Sequence, residues 1–133
     1  MNIYEKIIKD KINAVAGKDI YFKVNEILEV SDNISSEIVK ILISYACNPT
    51  HITPITISRN CLKQFPVDWI TNKIMRLIFK SINIYDDWDY RRFLELSEMI
   101  SDELLEWAIS IANHSDNSDI IEAATDFTER LSK

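Results

Sequence analysis

Glycine is almost missing from this chain, whose 133 residues hold one, Gly17, with three prolines, two cysteines and two histidines. So few turn formers exclude an all-β sandwich, with its many glycine-rich turns, and any glycine-rich loop for cradling phosphate. Long apolar runs are also missing. Ile41-Leu42-Ile43 and Leu77-Ile78-Phe79 are broken far short of the roughly 18 residues that span a bilayer. The start, Met1-Asn2-Ile3-Tyr4-Glu5-Lys6, has no basic stretch leading into an apolar run, so no signal peptide and a cytoplasmic location are expected. What is present is 47% hydrophobic residues, enough to exclude disorder and to bury about two-thirds of the unfolded surface in one domain.

Catalytic and metal chemistry find little to work with. There is no CxxC and no HExxH, and a nucleophilic site needs a histidine beside Ser or Cys with an orienting group. Cys47 and Cys61 sit among apolar neighbours and read as buried thiols. Cys47 and His51 are four apart, but Pro49 lies between them and structural zinc takes four ligands, so no metal or cofactor is expected. His51 and His114 fall in polar segments at helix ends, where capping or solvation suffices. The acids Asp86, Asp87 and Asp89 are explained by capping and the helix dipole. No enzyme is expected.

Charge divides the chain. Residues 1–84 carry 11 Lys and Arg against 8 Asp and Glu, whereas 85–133 carry 4 against 13, and the whole has a net charge of −6. The acidic half would repel nucleic acid and attract a basic protein. About half of those acids would arise simply as first turns and solvated faces of helices.

Apolar periodicity sets out the helices. Ile3, Tyr4, Ile7, Ile8, Ile12 and Val15 form one stripe, which Gly17 is placed to end. Ile20–Val30 suits either a helix or a short strand, and the lack of a strand partner favours helix. Asp32-Asn33 caps a helix closed by Asn48-Pro49, and Thr53 caps another with Pro54 at its first position. Pro66 starts the next in the same way, which implies a tight antiparallel hairpin around it. Asp86 and Ser101 cap a further pair, and a final helix follows the polar run 113–117.

Two of these helix starts repeat at a spacing of 30. Asp86-Asp87-Trp88-Asp89-Tyr90-Arg91-Arg92-Phe93-Leu94 aligns with Asp116-Asn117-Ser118-Asp119-Ile120-Ile121-Glu122-Ala123-Ala124, acids and apolar residues falling at matching positions. The expected fold is therefore all-α, a single domain of about seven stacked helices. Residues 1–50 would form amino-terminal capping helices. Residues 51–133 would form helix pairs, with units at 53–83, 86–113 and 116 onward.

The segment from Asp116 to Ala124, followed by Phe127 and Leu131, resembles the first helix of a HEAT-type repeat, although Ile121 stands where that family often has arginine. Together with Phe65-Pro66, Trp69-Ile70 and Asp87-Trp88 through Leu96, it also resembles small helical immunity proteins of bacterial contact-dependent and other polymorphic toxin systems. The resemblance covers about 80 carboxyl-terminal residues. It implies a cytosolic protein that blocks its own toxin domain, a nuclease being the expected kind, by forming a stoichiometric complex. It transfers no binding residue, because such surfaces differ from pair to pair.

Candidate contact residues therefore come from this sequence alone. If the second helices of stacked pairs line one side, that side shows Asp68, Asn72 and Arg76 from one helix and Asp102, Glu103 and Glu106 from the next. Trp69 and Trp88 each stand beside an aspartate at a helix start, where a ring can be half exposed, and Trp, Tyr and Arg are common at interface hot spots. Asp86 and Asp87 join Trp88, whereas Trp107 follows the core stripe. Arg91 and Arg92 are expected to pair within their helix, with Asp87, Asp89 or Glu95. The partner expected is a basic toxin domain, with neither nucleic acid nor membrane involved, and the free chain a monomer or dimer. The alternative is a helical adaptor or regulatory subunit with a non-toxin protein partner.

Overall fold

The side chain of Asn2 accepts the Tyr4 amide at 2.7 Å and opens α1 (Ile3–Ala16). Gly17, at φ 70°, closes it in the left-handed region by donating to the Asn13 carbonyl at 2.9 Å, as its position in the sequence suggests. The computed structural model describes residues 2–48 and 51–131. A helix over all of Ile20–Val30 is not formed. The Asn13 side chain accepts both the Ile20 and Tyr21 amides at 2.9 Å and holds a turn there, so that α2 (Val24–Glu29) is only six residues long.

Ser31, rather than Asp32-Asn33, caps α3 (Asp32–Cys47), its hydroxyl accepting the Ile34 amide at 3.3 Å. Asn48 ends this helix in an extended conformation, and the closing role expected of Pro49 lies outside the described residues. α4 (Ile52–Lys63) starts at a His51 cap with no side-chain hydrogen bond, which puts Pro54 third in the helix instead of first. Proline is tolerated at that position because the first four helical N–H groups have no intrahelical acceptor. Pro66 is the cap of α5 (Val67–Ser81) and accepts the Ile70 amide at 3.0 Å. α6 (Asp87–Ile100), α7 (Asp102–Ser110), a 3₁₀ turn at Ile111–His114 and α8 (Ser118–Leu131) complete the chain. Among the described residues there are thus eight α-helices where about seven were expected, and no strand. The chain is an all-α domain.

Asp86 and Ser101 cap as expected: Asp86 Oδ1 accepts the Trp88 and Asp89 amides at 3.0 and 3.1 Å, and Ser101 Oγ accepts that of Leu104 at 3.1 Å. The repeat holds for the core but slips at the cap. Tyr90, Phe93 and Leu94 are buried, as are Ile120, Ala123 and Ala124 thirty residues later. Yet the last helix is capped by Asn117, one residue beyond Asp116, with its Oδ1 taking the Asp119 amide at 2.9 Å.

α3 is the hub. Ile38, Val39, Leu42, Ile43, Ala46 and Cys47 are fully buried, and the helix packs against α1, α4, α5 and α6. Each of the larger side chains contributes about 1.5–3 kcal/mol by leaving water. The hairpin expected of α4 and α5 is absent, because both lie on α3 rather than on each other. The chain turns between them around Phe65, which is buried, stacks on Trp69 at 4.9 Å and meets Phe22 edge-on at 5.5 Å. The unit expected over 86–113 does form, with α6 packed on α7 across the single residue Ser101 and α8 laid against both.

Side-chain bridges fix these layers. Asp32 of α3 takes Lys73 and, at 3.2 Å, Arg76 of α5, and these cations hold its carboxyl below the usual range. Arg59 of α4 donates to the Ala46 carbonyl at 3.1 Å and to Glu95 of α6 at 3.0 Å. Inside α6 and α7, the buried Tyr90 hydroxyl donates to the Ala108 carbonyl at 2.8 Å, and burial pushes its pKa up to about 12.

Candidate partner-binding surface

Every described cation after residue 84 is used in an ion pair. Arg91 bonds Asp126 at 3.2 Å, Arg92 bonds Glu95 at 3.1 Å and Arg130 bonds Glu98 at 3.2 Å. The Arg92–Glu95 pair was expected, whereas Arg91 reaches from α6 to α8 because the two helices pack together. Among the described residues, Asp87, Asp102, Glu103, Glu106, Asp116, Asp119, Glu122 and Glu129 are left with no cationic partner. The acidity of this half is therefore a property of its folded surface, not only of its composition.

The nine residues put forward from the sequence separate into two places. At one end, Thr71 Oγ1 lies 2.9 Å from Ser101 Oγ and seats the start of α5 beside the start of α7. Asp68 and Asn72 on α5 are exposed there, as are Asp102, Glu103 and Glu106 on α7. Two residues leave this face. Arg76 is drawn to Asp32 on α3, and Trp69 is half-buried, stacked on Phe65 with Lys73 Nζ 5.3 Å from its ring centroid. Asp86, Asp87 and Trp88 lie at the far end of α5, roughly 20 Å away at 1.5 Å of rise per residue. Asp86 and Trp88 are exposed there, Trp88 at 60%, while Asp87 is half-buried.

That far end carries a feature the sequence reading missed. Phe79 and Tyr85 are 52% and 78% exposed, and with Ile84, Ile111 and Ile120 they line a groove of about 370 Å³ rimmed by His114 and Asp116. Its floor is continuous with the core. Ile84 and Ile120 are buried, and Phe79 meets Trp107 at 6.1 Å, which in turn meets buried Phe93 at 6.3 Å. Phe79 ends an apolar run with Leu77 and Ile78, but at 100° per residue it falls outside the stripe of Ile70, Ile74, Leu77 and Ile78, and that offset was the available signal.

A groove of about 420 Å³ between α3 and α5 includes Lys11, Lys40 and Lys80, where Lys40 pairs with Glu37 at 2.8 Å and Lys11 donates to the Tyr45 hydroxyl at 2.6 Å. Beside it, Cys47, Lys80 and Asp89 border a further concavity. Burial pushes the Cys47 thiol up to about 12 and the Cys61 thiol up to about 11, so neither is a thiolate nucleophile near neutral pH. Burial also raises the Asp89 carboxyl, opposed by the Asn83 amide that it accepts at 3.3 Å. His51 lies against the Tyr4 ring at 5.4 Å. Among the described residues no group of three or more His, Cys, Asp or Glu could hold a metal ion, and no helix is long and apolar enough to cross a membrane. No family model, curated protein sequence or solved structure matches the chain.

Proposed function

We propose that this chain is a cytoplasmic immunity protein that neutralises a secreted bacterial toxin domain by binding it one to one and covering its working surface, with no chemistry of its own. The observation that carries this reading is the set of exposed acids on α7 and α8, left unpaired while every described arginine around them is neutralised. A domain that cuts nucleic acid must attract phosphates, so its active cleft is basic, and a surface of this kind is complementary to it. Long-range attraction would steer the two together before contact.

The test is to express the toxin domain encoded beside this gene in a host with and without this chain, then to pass the purified mixture over a sizing column. Rescue with a co-eluting complex is the expected result. Association should also slow by about tenfold or more from low to high salt. Persisting toxicity with both proteins folded and eluting apart would overturn the reading for that pair.

A helical adaptor is the second reading, favoured by the lysine-containing groove between α3 and α5, which gives the molecule another surface of different character. Bridging requires two partners bound at once. A toxin-independent complex recovered through that groove would move the assignment there.

A further inference from the structure

The groove between the end of α5, the α5–α6 turn and the start of α8 is a receptor for an apolar side chain flanked by basic residues; we infer that a basic partner docks by inserting such an anchor, an inference that rests on the acidic-surface reading above. Three features support it. Phe79 and Tyr85 stand mostly in water on either side of a buried Ile84 and Ile120 floor, so a side chain entering there exchanges water for apolar contact on several sides. The walls are firm, since Phe79 rests edge-on against Trp107 and Trp107 against buried Phe93. The rim carries an acid: Asp116 lines the groove beside His114, Asp119 follows in the first turn of α8, and Asp86, next to Tyr85, borders the neighbouring concavity.

Charge also selects the occupant. Lys80, the nearest lysine in sequence, borders the α3–α5 groove instead, so it does not neutralise this rim. Two copies joined through this groove would set Asp116 against itself, with Asp119 close by in the same chain segment, a like-charge juxtaposition that disfavours a second copy. An aromatic or branched aliphatic side chain between lysines or arginines satisfies both the floor and the rim. Hot spots have this construction, a large anchor in a desolvated pocket surrounded by polar contacts.

The test uses capped pentapeptides and the full chain. One peptide carries a central phenylalanine between two lysine pairs, a second has glycine at the centre, and a third keeps phenylalanine but replaces the lysines by glutamates. Binding is followed by NMR, observing Phe79, Ile84, Ile111 and Ile120. The phenylalanine–lysine peptide should shift these groove signals and bind about tenfold tighter than the glycine peptide, with the glutamate peptide weaker still. Tyr85→Ala, at a residue 78% exposed, should lose most of that preference without unfolding. Equal affinity for the phenylalanine and glycine peptides, or shifts confined to the acids of α7 and α8, would overturn the inference. So would a dimer of the free chain that Tyr85→Ala dissociates. No toxin enters this experiment. A filled groove with a toxin that ignores the chain would sink the immunity reading alone, and a toxin complex with an unused groove would sink this inference alone.

Discussion

Replacing Arg59 by methionine should cost about 3 kcal/mol of stability, although the residue touches no candidate binding surface. Its side chain is 12% exposed and holds three helices together. Nε donates at 3.1 Å to the carbonyl of Ala46, one of the last carbonyls of α3 and one that α3 itself leaves unpaired. Nη2 reaches Glu95 of α6 at 3.0 Å and the Arg92 carbonyl at 3.4 Å. The first two are charge-assisted bonds worth about 1.5–3 kcal/mol each, and the third is too long to add much. Methionine keeps the apolar stem, and Glu95 keeps Arg92, so the loss stays near the lower end of the pair's sum. For a chain of this size that is a fall in Tm of about 10 °C. Arg59→Lys should lose about half as much, because it keeps the charge but lacks the separate Nε and Nη2 donors that reach Ala46 and Glu95. Urea unfolding followed by far-ultraviolet circular dichroism measures both variants. A cost below about 1 kcal/mol for Arg59→Met, or equal costs for lysine and methionine, would refute the assignment of a shared helix-end cap.

Gly17→Ala tests backbone strain alone, since φ is +70° and a Cβ there meets nothing within 4 Å; the expected cost is about 1 kcal/mol in urea unfolding, and no cost would mean the left-handed stop is not needed. The thiols of Cys47 and Cys61 should resist a disulfide reagent at pH 8 in the native protein and react fully in urea, because burial keeps them protonated. Their folded-state pKa values lie above the ordinary 9.0, so their contribution to stability is complete below that pH and lost as the pH rises through about 11 and 12; a urea midpoint that rises in that window would contradict the sign. Adding salt should raise the Tm of the free chain by about 2–4 °C, by screening the unpaired acids, and a fall would show that the ion pairs dominate instead.

The local features were legible and the tertiary ones were not. Gly17, Asp86 and Ser101 act through neighbours within four residues, so their caps can be read from the chain. The buried triplets Tyr90, Phe93, Leu94 and Ile120, Ala123, Ala124 follow helical spacing for the same reason. The cap at Asn117 was misplaced by one because both Asp116 and Asn117 have capping side chains, and only geometry selects between them. The failed α4–α5 hairpin has a different cause. A short connection brings helix ends together but does not choose their neighbour, and α3, with apolar residues around most of its surface, was the larger attraction. Arg59, Lys73 and Arg91 pair with residues 36, 41 and 35 positions away, beyond any helical periodicity. At the candidate surface, Asp68, Asn72, Asp102, Glu103 and Glu106 were recognisable as exposed, but the groove was not, since it needs α5, the turn and α8 at once.

How the charges are used bears on what the acidic half is for. Acids needed only for solubility could be spread over both halves, and where they crowded together they would gain from nearby lysines on the same helix. Here the amino-terminal half engages its acids Asp10, Asp32 and Glu37 with cations, and in the carboxyl-terminal half Arg91 and Arg130 bridge α6 with α8 while Arg92 pairs within α6. The arginines thereby serve packing, and none remains to screen α7 or the exposed side of α8. The resulting self-repulsion costs stability, and the buried hub on α3 offsets it. A partner bringing positive charge removes that repulsion at the moment of contact, so the cost carried by the free protein returns as affinity in the complex. This gain falls with salt while the stability of the free chain rises with it, and the opposed signs separate an interaction surface from a merely solvated one.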